Sequence, residues 1–189
     1  MDILSAIGNT SLVQLRKVVP PASADILVKL EWENPTGSVK DRMARAVINR
    51  AEADGRLKPG DTVVEYTGGS TGASLALVCA AKGYRIRIVT SDAFSPEKRD
   101  QMAALGAELT LVPSEGGLTT KKLILDMIET ARRLSREPRT YGPISSTITT
   151  ASPATSRWAR RSGNKPTARS TPSSIVSARR RRRAASRPC

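Results

Sequence analysis

The stretch TVVEYTGGSTGASLALVCAAKGYRIRIVT, residues 62–90, decides the fold. Residues 62–66 are mostly β-branched or aromatic and read as a strand. A Gly/Ser/Thr loop over 67–72 then opens a helix over 73–82, which stops at Gly83, a residue suited to the left-handed turn that closes helices. RIRIVT, residues 85–90, is the next strand. Two strands joined through a helix predict a parallel pair with a right-handed crossover.

The same alternation extends in both directions. Upstream, ILVKLE (26–31) reads as a strand and NPTG (34–37) as a turn. Ser38 is placed to cap a helix running through Ala53, with Val39, Met43, Ala46 and Val47 on one face until Arg50 interrupts the stripe. KPGD (58–61) turns the chain into the strand at 62. Downstream, a helix over 96–105 begins with Pro96 in its first turn, and ELTLV (108–112) is a further strand. A last helix over 119–136 carries Leu123, Ile124, Met127, Ile128, Ala131 and Leu134 at three-and-four spacing. The expected fold is α/β, a three-layer arrangement of a parallel sheet with helices on both faces, and its ligand loops lie at the carboxyl ends of the strands.

Charge divides the chain in two. Of 189 residues, 31 are Lys or Arg and 17 Asp or Glu, a net charge of +14 that would suggest a nucleic-acid binder if it were evenly spread. All of the acidic residues lie in 1–141, where 20 basic residues nearly balance them, and 142–189 holds 11 basic residues and no acid. The domain reading is therefore an α/β region over 1–141 and a Ser/Pro/Arg-rich tail over 142–189, expected to be disordered. The chain contains no histidine, which excludes a Ser-His-Asp triad, a Cys-His pair and histidine-ligated zinc. Cys79 and Cys189 have no metal-binding spacing, and no metal is expected. No apolar run approaches the roughly 20 residues of a membrane span, and residues 1–10 lack a signal-peptide pattern, so the expected setting is cytoplasmic.

Two loops carry chemistry. NPTGSVKDR, residues 34–42, sets Lys40 near the first turn of a helix, where an amine in its neutral form can join an aldehyde cofactor as a Schiff base. A surface lysine is the plainer reading of the same position. EYTGGSTGAS, residues 65–74, offers backbone N–H groups and hydroxyls at a helix N-terminus, suited to a carboxylate or phosphate. It has neither the Gly-Lys-Ser/Thr of a P-loop nor the spacing of a dinucleotide fingerprint, and a plain tight turn accounts for its glycines equally well.

In this order the two loops, with IGNTSLVQL (7–15), ENPTGSVKDR (33–42) and SDAFSPEKRDQMAALGAEL (91–109), resemble the cysteine synthase and cystathionine β-synthase family, the fold-type II pyridoxal-phosphate enzymes. The resemblance covers essentially all of 1–141. It implies that Lys40 holds pyridoxal 5'-phosphate as an internal aldimine and moves the substrate's α-proton. The implied reaction is β-replacement or β-elimination on a small amino acid such as O-acetylserine, with a sulfur nucleophile giving cysteine or a thioether. Thr67, Gly68, Gly69, Ser70 and Thr71 match the family loop that binds the substrate carboxylate, and Ser70 also matches its cofactor contact. The common loop reads T-S-G-N-T-G, so Gly68 and Ser70 depart from it and leave open which β-substituted amino acid is the substrate. For the full-length family a homodimer is implied.

After Tyr141 the resemblance stops in the printed frame. Restoring one base before the Gly142 codon permits a back-translation beginning W-A-D-Q-L-N-N-H, which resembles the family's continuation. The tail therefore reads as out of frame and the chain as an inactive fragment. The alternative function is polyanion or nucleic-acid binding through the tail, whose arginine run at 179–183 attracts phosphate without selecting it. A structural remnant that dimerises is a third reading.

Overall fold

A computed structural model of the chain describes residues 2–20, 24–142 and 176–179. Two sheets organise it. The first pairs β1 (Leu12–Leu15) with β2 (Asp25–Lys29) as an antiparallel hairpin, in register Leu12 to Lys29 and Leu15 to Ile26. The second holds β3 (Thr62–Tyr66), β4 (Arg85–Ser91), β5 (Glu108–Val112) and β6 (Thr140–Tyr141), all parallel, in the order β5-β4-β3-β6. Between them run α1 (Lys40–Ala53), α2 (Ser70–Lys82), α3 (Pro96–Ala104) and α4 (Lys121–Leu134).

Alternation along the parallel strands builds the three layers. Val63, Ile86 and Ile88 face one way and pack with Ala44, Ile48 and Ala51 of α1, Ala73, Ala76 and Cys79 of α2, and Met102 of α3. Val64 and Val89 face the other way, against Leu123, Met127, Ala131 and Leu134 of α4. The expected α/β architecture is present, with one correction. The strand read at 26–31 does not join the parallel sheet, because a β1 that was not anticipated pairs with it as a hairpin.

Two helix details also differ from expectation. On α1 the buried face is Asp41, Ala44, Ile48 and Ala51, whereas Val39 is exposed and Met43, Ala46 and Val47 are half-buried. A carboxylate on the inner face turned the helix about one residue from its apolar stripe. The helix α2 begins at Ser70 rather than 73, since Gly72 and Ala73 already donate their N–H groups to the Gly69 carbonyl. The endings behave as read: Gly83 closes α2 at φ 76°, Pro96 starts α3, and Thr120 caps α4 by accepting from the Leu123 N–H.

Most of the 142–189 tail, including the disorder and polyanion readings attached to it, lies outside the described residues. Within the tail, Val176–Arg179 forms β7, antiparallel to β2, with Val28 opposite Val176 and Asp25 opposite Arg179. β2 is thus the middle strand of its sheet, with β1 on one edge and β7 on the other.

Candidate active site

Lys40 is the first residue of α1 and is half-buried. Its N–H donates to the Ser38 hydroxyl at 3.2 Å, so Ser38 does serve the helix end, one position earlier than a standard cap. Its ammonium group has no hydrogen-bond or ion-pair partner among the described residues. The next residue, Asp41, is fully buried and accepts three hydrogen bonds. It accepts from the Thr36 N–H at 2.8 Å, from the Thr36 hydroxyl at 2.5 Å, and from the Ser74 hydroxyl at 2.5 Å. Thr36 and Ser74 hydroxyls stand 3.2 Å apart. Since Ser74 lies one turn into α2, the carboxylate ties the lysine loop to the first turns of both helices. Neither Asp41 nor Ser74 was singled out from sequence; the available signal was an acidic residue among apolar ones on an inward helix face.

The second loop leaves β3 at Thr67, whose N–H bonds the Val89 carbonyl at 3.0 Å and whose hydroxyl accepts from the Gly69 N–H at 3.2 Å. Gly68 lies under the ring of Phe94: a Cβ at position 68 would be 2.6 to 2.8 Å from three ring carbons. Gly69 precedes the helix in an extended conformation, with no side chain capping the helix end. Ser70 and Thr71 form the first turn of α2, and their N–H groups have no partner among the described residues. Two free donors at the positive end of a thirteen-residue helix suit an anion.

A third assembly holds the lysine loop from behind. Arg42 grips Glu31 through two nitrogens at 2.8 and 2.9 Å and also reaches the Thr10 hydroxyl at 3.0 Å. Asn34 donates to the Glu31 carboxylate at 2.9 Å and accepts from the Gly8 N–H at 2.9 Å. Partial burial acts to raise the pKa of Glu31, but the bonds from Arg42, Thr10 and Asn34 outweigh it and hold the carboxyl below its ordinary value. The opening residues 8–10 are thereby fastened to 31–42, although the two segments are far apart in the chain.

Among the described residues no group of three or more acidic or cysteine side chains could hold a metal, and no helix is long and apolar enough to cross a membrane. The donor set is organic: one amine, the hydroxyls of Thr67, Ser70 and Thr71, and free backbone N–H groups.

Comparison with known proteins gives the same direction. The chain is 53% identical over 112 residues to a cysteine synthase of Staphylococcus aureus strain Mu50, covering 59% of this chain and 36% of that relative. It is 47% identical over 122 residues to cysteine synthase B of Escherichia coli K12, covering 64% and 40%. Among solved structures, an O-ureido-L-serine synthase is 45% identical with a TM-score of 0.62, covering 70% of this chain and 41% of that one. A hydrogen sulfide-producing enzyme of Fusobacterium nucleatum is 34% identical with a TM-score of 0.64, covering 74% and 44%. The chain thus spans well under half the length of these relatives. Residues 3–158 match the family described as pyridoxal-phosphate dependent enzyme. That match takes in both loops and the whole parallel sheet, and the chain belongs to this family.

Proposed function

We propose that these residues form the lysine and carboxylate-binding side of a pyridoxal 5'-phosphate enzyme that replaces or eliminates the β-substituent of a small amino acid. In the cysteine synthase direction, an O-acetylserine-like substrate and a sulfur nucleophile give cysteine or a thioether. The observation supporting the reading is the Asp41 link, which joins the start of α1, where Lys40 sits, to α2, whose first turn carries two free donors.

The residues suit the cofactor: Lys40 supplies the amine for covalent attachment, and Ser70 a hydroxyl at the loop. When bound, pyridoxal phosphate supplies an electron sink for negative charge at the substrate's α-carbon. Everything else falls to the chain. The Ser70 and Thr71 N–H groups, with the hydroxyls of Thr67, Ser70 and Thr71, hold the substrate carboxylate and fix the α-carbon's position. The absence of a side chain at Gly69, where an added Cβ would meet nothing within 4 Å, lets the loop approach the substrate closely. Lys40 Nζ would take and return the substrate's α-proton.

The described residues supply one wall of this cleft, so the isolated 189-residue chain is expected to bind cofactor weakly and to turn over no substrate. The loss of every acidic residue after Tyr141 supports reading 142–189 as out of frame. Sequencing the coding DNA across codons 140–144 tests that directly. The functional reading is tested by incubating the chain with pyridoxal phosphate, reducing with borohydride and mapping the modified peptide. A stable adduct on Lys40, absent in Lys40→Ala, is expected; modification spread evenly over the other lysines would refute it.

A further inference from the structure

Asp41 is a buried carboxyl group that the proposed chemistry does not use, yet its bonds enclose the residue that the chemistry does use. On one side it accepts from the N–H and the hydroxyl of Thr36, at 2.8 and 2.5 Å. These two bonds close a short loop, 36–41, that contains Lys40. The rest of the loop turns tightly. The Gly37 N–H donates to the Asn34 carbonyl at 2.7 Å, and the N–H groups of Asp41 and Arg42 bond the carbonyls of Ser38 and Val39, three residues back rather than four. The backbone that carries the amine is thus held at both ends, while the amine itself has no polar partner among the described residues.

On the other side Asp41 accepts from the Ser74 hydroxyl at 2.5 Å. Ser74 is four residues beyond Ser70, so the two lie on one face of α2, a single turn apart. The face of α2 that meets Asp41 is therefore the face that begins at Ser70, one of the two residues with a free backbone N–H. All three donors to Asp41 are uncharged, so the carboxyl group works as a joint between two helix starts rather than as the partner of a cation. We propose that Asp41 is a positioning residue for the lysine chemistry: through Thr36 and Ser74 it fixes where Lys40 stands relative to the first turn of α2, so that a ligand held at that turn meets the amine at one set separation. Misplacing reacting groups by about 1 Å costs on the order of a hundred-fold in rate, which makes such a joint consequential. The inference rests on the reading of Lys40 and the 67–71 loop proposed above.

The test incubates the full 189-residue chain briefly with pyridoxal phosphate, reduces with borohydride and quantifies the adduct on every lysine by peptide mass mapping. Lys40 is expected to be labelled about ten-fold faster than the mean of the other lysines. In Asp41→Ala and Ser74→Ala that preference should fall to within about two-fold of the mean. Asp41→Asn should keep it, since the amide oxygen can accept from the Thr36 N–H while the amide nitrogen donates to the two hydroxyls, which rotate to suit. Labelling is carried out well below each variant's melting temperature, measured by circular dichroism, so a residue that only stabilises the fold would leave the preference unchanged. A variant that does not fold is replaced by Thr36→Val, which removes a single donor, with the same loss expected. A folded Ser74→Ala with the wild-type preference, or an Asp41→Asn that behaves like Asp41→Ala, overturns the positioning role and leaves the Lys40 reading standing. Even labelling of all lysines in the wild type overturns the Lys40 reading, and the inference with it.

Discussion

Removing the Asp41 carboxylate should cost more than any single exposed ion pair of this chain. Asp41→Ala leaves three donors behind: the Thr36 N–H, the Thr36 hydroxyl and the Ser74 hydroxyl, in a region where the carboxylate itself is wholly shielded from water. The two hydroxyls already stand 3.2 Å apart, so one can donate to the other. Two donors then remain unsatisfied, and at about 1–3 kcal/mol each the loss is about 2–6 kcal/mol. That is a large part of a typical domain stability of about 5–15 kcal/mol. Ser74→Ala removes one donor and leaves the carboxylate two, so about 1 kcal/mol is expected. Because the two residues share a bond, the double variant should cost less than the sum of the single ones, by about 1 kcal/mol. Urea unfolding followed by far-ultraviolet circular dichroism measures all three. An Asp41→Ala variant within about 0.5 kcal/mol of wild type, the range of ordinary surface changes, would refute the clamp. Strict additivity with Ser74→Ala would refute the link between the helices.

Three further outcomes follow from named contacts. Glu31 has a depressed carboxyl pKa in the fold, so its contribution is present above the unfolded-state value and is lost as pH falls through the lower folded value. Stability measured against pH should decline in that acidic window, and Glu31→Gln should flatten the decline. Cys79 is fully buried and its thiol is pushed up to about 12, mainly by burial and further by Glu52, so it should resist alkylation at pH 8 and react only on unfolding, as peptide mass mapping would show. Unfolded thiol ionises at lower pH than folded thiol, so this group also withdraws stability as pH rises between those two values. At Gly72 an added methyl would run into the Met102 sulfur and lie 2.7 Å from Thr67 Cγ2, and Gly72→Ala should lower stability by about 1–3 kcal/mol in the same urea assay.

The legible parts of this fold were those written in local periodicity. The β3-α2-β4 unit, the amphipathic α4 and the glycine and proline punctuation emerge from residues a few positions apart. The hairpin was not legible in that way. Ile26 to Lys29 has the same composition whether its neighbour is parallel or antiparallel, and the choice lies in residues 12–15, which pair with it across a loop. The α1 face was misjudged because a buried carboxylate reads as a surface residue until its three donors, one of them on another helix, are in view. At the candidate site, Lys40 and the 67–71 loop stood out by motif. The contact of Phe94 with Gly68 did not, because a missing side chain leaves no pattern in the sequence.

The position of β6 bears on how this chain emerges during synthesis. β3, β4 and β5 are neighbours in both sequence and space, so they can assemble as soon as residue 112 is free. The other edge of β3 waits for Thr140 and Tyr141, which pair with Thr62 and Val63. Until they arrive, a hydrophobic strand with Val63 and Val64 at its centre offers an open row of backbone donors and acceptors to any neighbouring nascent chain. Termination or pausing shortly before residue 140 would therefore release a species prone to edge-to-edge association. The two residues at 140–141 cover the first part of that edge, at Thr62 and Val63, and their effect on solubility should exceed what two residues would suggest.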